Sequence, residues 1–181
     1  MNVKDVVKQA AIVLRLGDAA AYCDDETQTD GKEEAIALLR HYNDTECDAA
    51  AYLPLVCEEK VQSVGGKIDL SSLQKNCLQV LSLTDLNGVR RAYKAAQTHL
   101  TTTCEAGILR YRYLPKEKAL NDKSDFIGVA ERAFVYGIVA AYYKGKGLFE
   151  EAAVYEKEYR AAIVSVHRMQ KGGRLRARRW R

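Results

Sequence analysis

Tyr52-Leu53-Pro54-Leu55, followed closely by Glu58-Glu59, is where the chain changes from helical to strand-like spacing. Upstream of it, Ile36, Leu39, Cys47, Ala50 and Ala51 keep one helical face from about Lys32 to Tyr52, and Glu33 and Glu34 complement the positive N-terminal end of that helix. Pro54 ends the helix because the residue before a proline is driven out of the helical region. Downstream, from Glu58 to Pro115, the runs are short, β-favouring and separated by turn residues. Helical spacing returns near Phe126. Helix, then strands, then helix within 181 residues predicts an α+β chain with a small antiparallel sheet in its middle.

Working towards the N-terminus, Val3, Val6, Val7, Ala10, Val13 and Leu14 predict a helix over about 3–16, closed by Gly17. Residues 18–31 are mixed: an Ala19-Ala20-Ala21-Tyr22 patch precedes Asp24-Asp25-Glu26-Thr27-Gln28-Thr29-Asp30-Gly31, which reads as a solvated loop. Asn43 falls on the buried face of the 32–53 helix. It must find hydrogen-bond partners there, either by pinning the helix to a neighbouring backbone or by local satisfaction.

Working towards the C-terminus, Lys60 to Asp69 resembles a hairpin around Gly65-Gly66, and Cys77 to Leu83 reads as a buried strand. Asp85-Leu86-Asn87-Gly88 supplies an Asn-Gly turn. Ile108-Leu-Arg-Tyr-Arg-Tyr-Leu114 alternates as a strand does. Two further helices, about 126–143 and 149–168, are joined by Gly145-Lys146-Gly147, and so short a loop predicts antiparallel neighbours. Phe134, Gly137, Ile138 and Ala141 on the first helix, and Ala152 and Tyr159 on the second, are expected to pack this hairpin, with the small residues letting the backbones approach.

The chain ends in Lys171-Gly-Gly-Arg-Leu-Arg-Ala-Arg-Arg-Trp-Arg181, a basic arm set off by a diglycine and carrying the single tryptophan. Six of the 28 Lys and Arg lie in this arm, leaving 22 against 24 Asp and Glu in residues 1–170. The basic balance is therefore a property of the arm. Residues 1–170 are expected to form a single α+β domain, since 48% hydrophobic content can bury one core or a core with a small satellite. The arm admits three readings. Arginines could neutralise phosphates while Trp180 stacks on a base; Trp180 and the arginines could anchor a protein partner; or the segment could be a solubilising tail.

Catalytic chemistry finds no set of residues. Gly65-Gly66-Lys67 and Gly145-Lys146-Gly147 do not fit the phosphate-binding G-x-x-x-x-G-K-[ST] pattern. His41, His99 and His167 lack metal-ligand spacing. The adjacent carboxylates Asp24-Asp25 and Glu58-Glu59 point in different directions on a helix or strand, and no G-x-S-x-G or Cys-His signature occurs. Cys23, Cys47, Cys57, Cys77 and Cys104 are odd in number with no C-x-x-C pair, which predicts free, mostly buried thiols in a reducing compartment. No apolar run reaches the length of a membrane span, and the amphipathic start is unlike a signal peptide. The expectation is a non-enzymatic protein of the cell interior, with no cofactor, no metal and no membrane partner.

In order along the chain, Tyr52-Leu53-Pro54-Leu55, Glu58-Glu59, the small sheet ending Tyr111-Arg112-Tyr113-Leu114-Pro115, Phe134 to Tyr143, Gly147-Leu-Phe-Glu-Glu-Ala-Ala153, Glu156-Lys-Glu-Tyr-Arg160 and the terminal Arg-Arg-Trp resemble the head-to-tail connector, or adaptor, proteins of tailed bacteriophages. The resemblance spans roughly 36–181. It implies a structural virion protein of the neck, assembled in the host cytoplasm: a homo-oligomeric ring, a dodecamer in the family, under the portal protein. Such a ring extends the channel for packaged DNA and carries the next neck or tail protein. Lys171, Arg174, Leu175, Arg176, Arg178, Arg179, Trp180 and Arg181 would then be the portal-docking arm, with Leu175 and Trp180 as apolar anchors and the arginines meeting acidic portal grooves. A mildly acidic body suits a channel along which DNA must slide. Two alternatives stand beside it: a nucleic-acid-binding protein that uses the arm, and a tail completion or terminator protein of the same neck.

Overall fold

The computed structural model describes residues 1–170, so the docking arm expected over Lys171 to Arg181 lies outside the described residues. The fold is α+β, as expected. It divides into two compact units: a helical unit, 1–53 together with 118–170, and a β unit, 54–117, inserted between its third and fourth helices. Where the sequence reading treated 1–170 as one domain, the helices and strands thus collect around separate cores. The two units join at Leu53-Pro54 and at Glu117-Lys118, so the first junction falls on the proline that ends the helix.

In the helical unit, α1 (Val3–Val13) buries Val3, Val6, Val7 and Ala10. It stops three residues before the expected end because Arg15 adopts φ 59°, and Leu16 N–H donates to Ala11 O at 2.9 Å, a left-handed helix stop. A short helix absent from the sequence reading follows, α2 (Gly17–Asp24), burying Ala19, Tyr22 and Cys23. Two turns are too short to hold by propensity; packing against α1 and α3 holds them. Asp24 to Asp30 are exposed, as a solvated segment should be. Next come α3 (Lys32–Tyr52), α4 (Glu131–Gly145) and α5 (Phe149–Gln170), close to their expected ranges. Phe126, expected to open α4, instead precedes it and packs on Phe134 with ring centroids 5.5 Å apart.

The β unit contains β1 (Leu55–Gln62), β2 (Lys67–Asp69), β3 (Asn76–Asp85), β4 (Arg90–Arg91), β5 (Tyr93–Ala95), β6 (His99–Thr102) and β7 (Ala106–Leu114). They form two antiparallel sheets, β1-β7-β3-β4 and β2-β6-β5, whose apolar residues share one core around Val61, Ile68, Leu83, Leu100, Leu109 and Tyr111. The turn at Gly65-Gly66 is present, with both glycines at positive φ and Val64 bridging Lys67. Its flanking strands do not continue as a hairpin, however. β1 pairs with β7 and β2 with β6, which places them in different sheets. Strand β7 is central, flanked by β1 and β3, and β3 carries register shifts between Cys77 and Gln79 and between Val80 and Ser82.

Candidate functional site

The helical unit presents its unusual chemistry where α3, α4 and α5 meet. Sequence spacing assigned Phe134, Gly137, Ile138, Ala141, Ala152 and Tyr159 to the contact between α4 and α5. The helices do pack together, but with a different division of labour. Phe134 turns to α3, its ring 5.8 Å from that of Tyr42. Gly137 also faces α3: a Cβ there would stand 2.3 Å from Thr45 Cγ2. Between α4 and α5 the contact is aromatic, with Tyr155 centred 6.0 Å from Tyr136 and 5.8 Å from Tyr143. Ile138, Ala152 and Tyr159 are buried as expected, and Ala141 is half-buried.

A cleft of about 240 Å³ opens over Gly137 and is lined by Asp48, Lys144, Glu156, Tyr159 and Arg160 among others. Tyr159, Asp48, Lys144, Glu156 and Arg160 are already engaged with one another. Tyr159 Oη lies 3.0 Å from Asp48 Oδ2 and 3.2 Å from Thr45 O. Burial, with the Asp48 carboxylate beside it, pushes the Tyr159 phenol well above its ordinary range. Glu156 accepts from Lys144 at 2.7 Å and also pairs with Arg160; the Lys144 hydrogen bond is the main reason its carboxyl is held below the usual range. A phenol that stays protonated and a carboxylate that stays ionised are cross-ties between helices rather than an acid and base poised near neutrality.

Under α3 lies a second polar group. Glu46, 1% exposed, accepts on Oε1 from Ser124 Oγ (2.7 Å), Tyr42 Oη (3.1 Å) and the Asp125 N–H (3.1 Å). Oε2 has no hydrogen-bond partner. Burial pushes the Tyr42 phenol upward, with a smaller push from Glu46. Lys118 pairs with Asp125 at 3.2 Å. Asn43 pins the same segment: its Nδ2 donates to Lys118 O at 3.2 Å and its Oδ1 accepts from Lys118 N–H at 2.9 Å. Of the two readings of Asn43, the neighbouring backbone is the one realised.

His41 belongs to α3, His99 to β6 and His167 to α5, and burial lowers the pKa of His41. Asp24 pairs with Lys8 at 2.7 Å, Glu58 with Arg110 at 3.4 Å, and Glu59 accepts from Tyr111 Oη at 2.9 Å. Among the described residues no group of three or more His, Cys, Asp or Glu is placed to hold a metal ion, and no helix is long and apolar enough to cross a membrane. None of the five cysteines is joined in a disulfide. Cys23 and Cys104 are buried, whereas Cys57 and Cys77 are half-buried and Cys47 is exposed on α3, so burial reaches fewer of them than expected.

Spacing did not single out the outer face of the last turns of α5. Arg160, Val164 and Arg168 form one row, four residues apart, and Ala161, Ser165 and Met169 the row beside it, together bordering an open groove. Val164 is 40% and Met169 77% exposed. Next to this groove a small apolar recess of about 170 Å³ lies between Tyr52, Tyr159, Ile163 and Val164. Apolar side chains on the outward side of a helix whose inward side is already Tyr159 and Ile163 were the available signal. The buried stripe masked it. No protein-family model and no curated protein matches this chain.

Proposed function

We propose that the chain is a subunit of the neck of a tailed bacteriophage. It is an adaptor that forms a homo-oligomeric ring, docks on the portal protein, extends the DNA channel and carries the next neck or tail component. The observation that carries the reading is the exposed row Arg160, Val164, Arg168 with Met169 on the final turns of α5, because that helix leads directly into the arm from Lys171 to Arg181. Aromatic, Met and Arg side chains are the types enriched where proteins grip one another. The row, and the arm that follows it in sequence, together supply basic and apolar side chains for docking, with Leu175 and Trp180 as anchors. The segment order described above supports the connector identity.

Electron microscopy of the full chain and of a variant ending at Gln170, each mixed with the portal ring encoded by the same genome, tests it. The expected result is a ring stacked on the portal only when the arm is present. Absence of any stacking, together with duplex DNA binding that weakens steeply with salt and vanishes without the arm, would replace this reading with the nucleic-acid one. Stacking on tail tubes rather than portals would assign the tail-completion role.

A further inference from the structure

The charge of the described chain is concentrated in two places. The helical unit, counted to residue 170, has 13 Lys and Arg against 18 Asp and Glu, and the β unit has 9 against 6. In the helical unit the whole excess lies in residues 18–34, where Asp18, Asp24, Asp25, Glu26, Asp30, Glu33 and Glu34 face only Lys32; the remainder is 12 against 11. All seven carboxylates are on exposed residues. Two of them are paired within the unit, Asp24 with Lys8 at 2.7 Å and Glu26 with Lys4 at 3.6 Å. The segment is held in shape by Gly31, whose φ is +75° and whose missing Cβ would overlap the Asp18 backbone at 2.1 Å.

In the β unit the excess lies on one face of the four-stranded sheet. Residues directly opposite one another in antiparallel strands share a face. The register therefore sets Lys60, Ile108, Thr84 and Arg90 in one row, Glu58, Arg110 and Ser82 in the next, and Val56, Arg112 and Gln79 in a third. The alternate rows, Glu59-Leu109-Leu83 and Cys57-Tyr111-Val80, turn to the core. The outer face thus carries Lys60, Arg90, Arg110 and Arg112 against Glu58, and the other charges of the unit balance at five of each sign. The Arg110–Glu58 pair, at 3.4 Å with side chains 54% and 62% exposed, is a solvated contact that leaves both groups open to a partner.

We propose that this outer sheet face is the docking surface for the acidic 18–34 segment of a second copy of the chain. The inference rests on the ring assigned above and names its lateral contact. Two patches of opposite sign on one chain give a heterologous contact, in which each copy offers a face to one neighbour and a segment to the other, and such contacts close into rings when the rotation allows. A two-fold contact of either patch with itself would set like charges together. Pattern as well as sign favours protein over nucleic acid. Glu58 sits between the rows of Lys60 and Arg112, where a phosphate backbone would be repelled, while the acidic segment brings its own cation, Lys32, to such a site. Complementary surfaces of this kind set partner choice and association rate, and salt weakens them.

Sedimentation velocity of the full-length protein alone, at low and at high salt, reads the association. Arg110→Glu with Arg112→Glu, and separately Glu33→Lys with Glu34→Lys, are each expected to weaken self-association at least about tenfold. Mixing the two variants should restore it, since each then meets its complement. Neutralising Arg176, Arg178 and Arg179 to Gln should leave it intact. All the substitutions are at exposed or half-exposed positions or in the arm; should the Arg110/Arg112 variant fail to fold, Lys60→Glu with Arg90→Glu replaces it. A wild-type chain that stays monomeric at low salt, reversals without effect, no rescue on mixing, or loss caused by the arm variant would each overturn the proposal. So would a face reversal that abolishes duplex DNA retention while self-association is unchanged. No portal is present, so failure here leaves portal docking to be judged by the microscopy above.

Discussion

Glu46 holds three donors on a single buried oxygen, from α3 itself and from the 124–125 segment. Removing it strands those donors away from water, so Glu46→Ala should cost about 3 kcal/mol of stability. Tyr42→Phe, which removes one donor of the three, should cost only about 1 kcal/mol. Chemical denaturation of both variants checks the ratio; equal losses would mean that Tyr42, rather than the carboxylate, organises the group. Asp85 acts in the β3–β4 turn, where its Oδ1 accepts from Val89 N–H at 2.8 Å and Asn87 N–H at 3.0 Å, and its Oδ2 from Arg91. The Val89 hydrogen bond, followed by Arg91, holds its carboxyl below the ordinary range. A folded-state pKa below the unfolded one stabilises above the unfolded value, near 3.9, and the benefit disappears as pH falls through the folded value. The stability difference between wild type and Asp85→Asn should therefore be full at neutral pH and close below about pH 4. A difference that stayed constant with pH in urea titrations would exclude the carboxylate as its source. The Asn-Gly turn was legible in Asp85 to Gly88; that Asp85 itself ties the turn to Arg91 was not, because the strand register decides it.

The α3–α4 crossing depends on the absence of a side chain. At Gly137 an Ala should gain up to about 1 kcal/mol of helix propensity, but its Cβ would meet Thr45 Cγ2 at 2.3 Å. Overpacking of this sort typically costs about 1–3 kcal/mol. Gly137→Ala is expected to be destabilising with Thr45 in place and to become neutral or stabilising in a Thr45→Ala background. Thermal melts of the four proteins of this cycle report the coupling, and additive effects would refute the close approach. Spacing identified Gly137 and Phe134 as inward-facing but assigned them to the neighbour next in sequence. On α3 even the side differs from the expected one, with Ala35, Leu38, Tyr42 and Ala49 buried in place of Ile36, Leu39, Cys47 and Ala51; on α4 periodicity gives the buried side and is silent on which helix covers it. The same limit explains α2: an eight-residue segment with Ala19, Tyr22 and Cys23 inward is helical only because α1 and α3 cover it.

For the whole molecule, portal binding is expected to depend on Trp180 far more than on Arg181. A buried aromatic anchor commonly contributes about 2 kcal/mol or more, and a charge at the rim little. Pull-down of the portal by Trp180→Ala and Arg181→Ala full-length chains measures this, and equal losses would remove Trp180 as the anchor. Met169→Ser, on the exposed side of α5, should weaken the same complex without lowering the melting temperature, because it is 77% exposed in the free chain. By itself the sequence determined the α+β order, the proline stop before the sheet, the hairpin of α4 and α5 and the basic arm, since local spacing, turn chemistry and composition are written residue by residue. Only the tertiary structure decided that the strands divide into two sheets, that Gly137 opens towards Thr45, and that Lys60, Arg90, Arg110 and Arg112 come to share one sheet face. Those features arise from pairing register and packing between segments far apart in the chain, which no local pattern encodes.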